Sequence, residues 1–275
     1  MIKWSILLLF WLSPLGYSQT IFVSPLENQP VIDGSDADWL SVPGVTIAVK
    51  PVNPTYSSET TEVLLKAGHF DGEVFFYLRW RDYSENLVHK AWVWDESKKR
   101  YVMGPEREDR LAMQFEMEGE YSTDWANAND FKADMWHWKS SRSNPLGLVH
   151  DKFTVLSQNK LLRAAALPAA DGSKRYVLRK SDAGEPLYRT MRFGKKKQEV
   201  MPKYELLVAQ GSMADIQAKG IWKDGNWQLE LRRKLSTGHD DVQFELGNSY
   251  LGGIAVFNAS DNDDHLISET LQFQF

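Results

Sequence analysis

Glu62-Val-Leu-Leu-Lys-Ala-Gly-His69, the pair Asp71-Gly72 and Val74-Phe-Phe-Tyr-Leu-Arg-Trp80 stand in close succession. Both runs are rich in β-branched and aromatic residues. Asp-Gly is the dipeptide that a tight type I′ turn favours, because both central residues take positive φ. The stretch therefore predicts a β-hairpin. Similar runs recur at Arg110-Leu-Ala-Met-Gln-Phe-Glu-Met117, Ala133 to Lys139, Gly225 to Arg232, Val242-Gln-Phe-Glu-Leu246 and Ile254-Ala-Val-Phe257, with Lys223-Asp-Gly-Asn226 as a second turn. Helical periodicity is scarce. The expected fold is all-β, an antiparallel two-sheet β-sandwich of immunoglobulin-like or carbohydrate-module-like kind. Residues 151–209 read as a long irregular insertion, more basic than the rest and centred on Lys195-Lys-Lys197, whose plainest reading is a solvated loop tip.

Met-Ile-Lys followed by an apolar run from Trp4 to Leu15 and small residues at Gly16 and Ser18 has the pattern of an export leader. Residues 1–18 are thus expected to be a signal peptide and 19–275 a single domain, since no Pro/Gly/Ser-rich linker or charge block divides them. Periplasmic or secreted placement follows from that expectation, and no later run is long and apolar enough to insert in a membrane. The chain has no cysteine, which excludes disulfides, c-type haem attachment, iron–sulfur clusters and thiolate zinc sites together. A formal net charge of −5 disfavours nucleic-acid partners. The 11 tryptophans point to an aromatic core or an aromatic-lined pocket.

Three segments hold the candidate chemistry. In Asp134-Met-Trp-His-Trp-Lys139, strand alternation puts Met135, His137 and Lys139 on one face and Trp136 and Trp138 on the other. A thioether, an imidazole and an amine on one face are all able to ligate iron; a hydrogen-bonded core histidine with packing methionine is the plainer alternative. In Asp109 to Met117, Met113 shares a face with Leu111, Phe115 and Met117, which suits a core filler as well as a ligand. In Ala214 to Trp227, Lys219 stands beside Gly220, where another group can approach the backbone; a lysine turned inward needs a partner, a proton loss or a metal, and one turned outward snorkels. No nucleophile elbow, phosphate loop, dinucleotide fingerprint or zinc helix is present.

Asp134 to Gly147 (Asp-Met-Trp-His-Trp-Lys-Ser-Ser-Arg-Ser-Asn-Pro-Leu-Gly), the Glu108-Asp-Arg-Leu-Ala112 opening, Asp182-Ala-Gly184, the Ala214 to Trp227 segment and Arg233-Lys-Leu235 together resemble the ethylbenzene dehydrogenase-type haem-binding domain. That family includes the haem b subunits of periplasmic molybdenum enzymes acting on ethylbenzene, dimethyl sulfide and chlorate. The resemblance implies a sandwich that holds haem b between a methionine and a lysine, which would fall on Met113 and Lys219, with His137 as the alternative iron ligand. In such a site Trp136 would line the pocket or the core, and Arg142 or a basic residue of 195–203 would meet a propionate. The resemblance also implies electron transfer to or from a molybdoenzyme subunit or a c-type cytochrome, without catalysis by this chain alone. A carbohydrate- or small-ligand-binding sandwich without haem is the competing reading; the opening Val31-Ile-Asp-Gly-Ser-Asp-Ala-Asp-Trp39 suits both.

Overall fold

A computed structural model describes residues 19–53, 60–262 and 264–275; the leader expected at 1–18 lies outside them. The hairpin read from the sequence is there. Thr61–Phe70 pairs antiparallel with Glu73–Arg81, and Asp71 and Gly72 between them have φ of +45° and +76°. The second turn behaves alike, with Asp224 at +51° and Gly225 at +72° joining Gln217–Lys223 to Asn226–Lys234.

These strands build one leaf of a β-sandwich in the order Val45–Pro51, Thr61–Phe70, Glu73–Arg81, Asn226–Lys234, Gln217–Lys223. The other leaf runs Ser249–Phe257, Arg110–Gly119, Phe131–Lys139, His150–Ser157, Lys174–Ser181, Ala165–Pro168. Leu266–Ser268 pairs with both Ser249–Phe257 and Val45–Pro51 and so carries the ladder from one leaf to the other. Among the described residues the regular elements are strands and short 3-10 turns.

Between the leaves lies an apolar core fed by alternate residues of each strand. Leu111, Met113, Phe115, Trp136, Trp138, Ile254 and Val256 face Val63, Leu65, Phe76, Leu78, Trp80, Trp227 and Leu229. Its aromatic rings meet mostly edge to face: Trp136 on Phe76 and Phe115, and Trp138 on Trp80 and Trp227. Gly220 admits Trp138, since a Cβ there would lie 2.4 Å from the indole. Asn144 clamps the same place, taking the Gly220 N–H at 2.7 Å and the Trp138 indole N–H at 3.1 Å on its carbonyl oxygen and donating to the Gly220 carbonyl at 2.9 Å. The opening segment is anchored on the outside of the first leaf. Buried Glu230 accepts the Asp33 and Gly34 backbone N–H groups and the Trp39 indole N–H.

Two segments differ from expectation. Val242 to Leu246 is not a strand: Val242 and Phe244 are buried in the core, but Arg233 takes the Val242 carbonyl and Phe244 donates to Leu235, so no ladder forms. Residues 151–209 divide in two. The first half extends the second leaf through His150–Ser157, Ala165–Pro168 and Lys174–Ser181; the remainder forms two-residue and three-residue ribbons and pairs at Val200–Met201 with Trp92–Asp95.

Gly220→Ala should destabilise the fold by about 1–3 kcal/mol, because the added methyl displaces a packed indole. Gly72→Ala should cost about 1 kcal/mol through its positive φ alone. Urea unfolding of both variants checks the order, and equal midpoints would show that Trp138 moves freely.

Candidate functional site

Phe131–Lys139 is buried on both faces. Its inner side chains enter the core; its outer ones, Met135, His137 and Lys139, meet a second layer. The register sets their neighbours. His137 stands between Ala112 of one flanking strand and His150 of the other, and Ala112 is followed by Ala255; Met135 stands between Gln114 and Lys152, and Gln114 is followed by Gly253. Ala112, Gly253 and Ala255 are small, and the space they leave on this face is a pocket walled by Trp125, Phe257, Lys152 and Arg179 among others.

His137 is the unusual group in it. The ring is 5% exposed and stacks on Phe257 at 5.6 Å, yet neither Nδ1 nor Nε2 has a hydrogen-bond partner. Buried imidazole nitrogens are ordinarily bonded, which sets this ring apart from the other buried histidines. Burial above all, then the charges of Lys139, Lys152 and Arg110, holds its pKa well below the ordinary value, which leaves the neutral ligating form. Beside it, the Met135 thioether is 5% exposed and accepts the Thr154 hydroxyl at 3.4 Å.

Further along the same face is a polar knot. Lys139 is buried and meets His150 Nδ1 and the Tyr188 hydroxyl, the latter at 2.9 Å; His150 Nε2 meets Ser181 Oγ at 2.8 Å. Desolvation first, then the charges of Lys152 and Arg142, pushes the Lys139 amine well down, and the same effects keep His150 neutral. Lys152 is lowered to about 8, mainly by burial. Beside them Arg142 is paired with buried Glu108 and covered by the Tyr188 and Tyr204 rings at 5.0 and 4.8 Å.

The residues named from sequence therefore separate. His137 and its neighbour Met135 line the pocket. Met113 and Trp136 lie between the leaves, at 0% and 1% exposure, because alternation turns them to the opposite side of the sheet from His137. Lys219 is exposed: its neighbours Ala218 and Gly220 take the inward positions on the edge strand. Met113 and Lys219 are not brought to one cavity. Arg142 has its charge engaged by Glu108 and stands outside the pocket lining. Missed from sequence were His150, Lys152 and Tyr188. The alternation in His150-Asp-Lys-Phe-Thr-Val-Leu-Ser157 was the available signal, hidden by reading this stretch as an insertion.

A haem b is the group the resemblance implies, and its fit can be tested on the donors present. An unbonded neutral imidazole, a thioether and the cations of Lys152 and Arg179 are suitable for iron and carboxylates. The space at His137 is about 70 Å³, while a wider cleft of about 560 Å³ is lined by Arg81, Tyr83, Asn258 and Ser260; His265 is common to both walls. The donor chemistry fits, and the space beside His137 is much smaller than the cleft on the other side of His265.

Comparison with known proteins gives two kinds of likeness. Among solved structures, a family 9 carbohydrate-binding module from Caldicellulosiruptor kristjanssonii in complex with glucose has a TM-score of 0.39 at 13% identity, covering 92% of this chain and 85% of that one. The same organism's family 9 module in complex with cellotriose gives 0.40 at 12%, covering 93% and 94%. No curated protein matches in sequence. The model of one sequence family, described as ethylbenzene dehydrogenase, matches residues 36–267, nearly the whole described chain and every element that builds the pocket. The chain belongs to the ethylbenzene dehydrogenase family.

Proposed function

We propose that this chain is an exported b-type haem-binding electron-transfer protein or subunit, serving a periplasmic molybdoenzyme or a c-type cytochrome. The observation that carries the reading is the His137 imidazole, buried, neutral and bonded through neither nitrogen, in a pocket of a chain whose family is that of ethylbenzene dehydrogenase. His137 would hold the iron of the cofactor, which when bound supplies one-electron transfer. Lys152 and Arg179 would meet its carboxylates, Trp125 and Phe257 would exclude water, and Met135 would set the polarity beside the ring. The protein's own part is to keep the imidazole unprotonated. Stacking on Phe257, itself covered by the Arg110 guanidinium at 4.2 Å, does this by burial and by positive potential.

The sugar-binding alternative needs an exposed aromatic platform. Five of the nine described tryptophans are buried and the other four, Trp92, Trp94, Trp125 and Trp222, are half-buried. A glycan array on haem-free protein, with Trp125→Ala as control, separates the two readings: retained glycan binding lost in the variant would favour the alternative.

Protein refolded or expressed with haem should retain it and show the reduced-minus-oxidised bands of a bound haem b. His137→Ala should shift these bands or abolish haem retention, whereas Met113→Leu and Lys219→Ala should leave them unchanged. Loss of the bands in Met113→Leu or Lys219→Ala, with His137→Ala silent, would move the iron to the pair implied by the family resemblance.

The neutral histidines also give the haem-free protein a pH signature. The folded pKa of His150 lies below its unfolded value near 6.5, so the stabilisation is complete above that pH and is lost progressively as pH falls beneath it. Each such imidazole should contribute a slope of about 1.4 kcal/mol per pH unit in that range. Denaturant unfolding between pH 6.5 and 4.5 should show His150→Gln with a slope smaller by that amount than the parent, and parallel curves would mean that His150 protonates in the folded state.

A further inference from the structure

On the inner face of the sheet, behind the His137 pocket, are three aspartates that the proposed function does not use. Asp134 lies two residues before Trp136; Asp151 stands on the neighbouring strand directly opposite Trp136; Asp241 comes from the irregular segment after Asn226–Lys234. One carboxylate oxygen from each lies within 4.8 Å of the other two. All three are buried, at 1%, 0% and 5% exposure.

Charge and hydrogen bonding around them are incomplete. Among the described residues the one ion pair that the three make is with Arg233, whose guanidinium bonds Asp134 Oδ2 at 2.8 Å. That oxygen also accepts the Trp136 indole N–H at 3.1 Å and the Val242 N–H at 3.3 Å, while Asp134 Oδ1 has no partner. Asp151 Oδ1 accepts the Lys152 N–H, and its Oδ2 has no partner. Asp241 is held by the Ser212 hydroxyl at 3.1 Å and the Thr237 hydroxyl at 2.6 Å, one on each oxygen. Half-buried Asp182 adds a fourth carboxyl that interacts with Asp151 and Asp241. One guanidinium facing three or four carboxyls leaves a deficit of positive charge in a region where an uncompensated carboxylate is costly.

We propose that Asp134, Asp151 and Asp241, with Asp182 at the rim, form a calcium site that ties the segment after Asn226–Lys234 to the second leaf. The donors are all hard oxygens, which suits calcium or magnesium rather than zinc or copper. Carboxylate oxygens within 4.8 Å of one another can share one such ion. Magnesium keeps several waters and is seldom held by an all-protein cage, whereas calcium accepts a full shell of carboxylates, and these three are buried. The Ser212 and Thr237 hydroxyls orient Asp241 in the way outer hydrogen bonds orient a ligand. The unpartnered oxygens of Asp134 and Asp151 are the ones the ion would take. The site shares no side chain with the His137 pocket, so it stands whatever fills that pocket.

The test uses haem-free full-length protein dialysed against a chelator, then supplied with calcium, magnesium or terbium ions. Calcium at about 1 mM should raise the melting temperature by roughly 5 °C, magnesium by less, with one equivalent bound by calorimetry. Terbium should luminesce on tryptophan excitation, since the Trp136 indole nitrogen is 3.1 Å from Asp134, and calcium should displace it. Asp151→Asn and Asp241→Asn should each weaken calcium binding at least about tenfold. An unchanged melting temperature with calcium, no terbium emission and less than about a tenth of an equivalent of metal per chain would overturn the site and assign the missing charge to shared protons. Because these three readouts are made on the parent protein, the decision does not depend on the variants folding.

Discussion

The arrangement depends on a single strand, Phe131–Lys139, that is buried on both sides. A β-strand has only two faces, and successive residues must alternate between them. Where each face is covered, the side chains are sorted without exception: Asp134, Trp136 and Trp138 enter the core, and Met135, His137 and Lys139 enter the layer outside it. A one-residue slip would put an imidazole and an amine among the aromatic rings and the indoles against charges, so the register is fixed by both layers at once.

Polarity is then handled differently on the two sides. On the inside, the aromatic rings of both leaves occupy the centre, and the carboxylates stand beside them with Arg233, which lies over Trp136 at 4.8 Å and over Phe244 at 5.1 Å. On the outside basic groups predominate: burial first, then Lys139, Lys152, Arg110 and Arg142, hold the nearby imidazoles neutral, and Lys139 is itself pushed well down. The result is a sheet with positive potential on one surface and a carboxylate cluster on the other, separated by the thickness of a backbone.

Much of the fold was legible because its signals are local. Asp71-Gly72 and Asp224-Gly225 declare their turns through the only backbone geometry they favour, and the runs around them alternate cleanly. Val242 to Leu246 misled because an apolar alternation reports burial, not pairing; there the inward residues are held by Arg233 and Leu235. The site was half legible. Alternation alone placed Met135, His137 and Lys139 together and left Met113 open between core filler and ligand; the ligand reading came from the family resemblance, and the side chain turns to the core. The partners His150 and Lys152 depend on which strand pairs with Phe131–Lys139, information that lies in the tertiary register. Gly220 was read correctly as a point of close approach, although its visitor is an indole of the opposite leaf.

Because Leu266–Ser268 carries the ladder between leaves, the main sheet path among the described residues ends at Ala165–Pro168 and Gln217–Lys223. Unpaired strand margins invite association with a foreign chain. One of these ends in Pro168, which lacks the donor a neighbour would need; the other is covered along its first half, where Ala218 donates to the Gly147 carbonyl and Asn144 bonds Gly220, and it presents Lys219 and Lys223 to solvent. Lys219 thus stands on a margin that the chain itself closes, and the cover together with the lysine charges discourages self-templated aggregation in a protein that has no disulfide to keep it from unravelling.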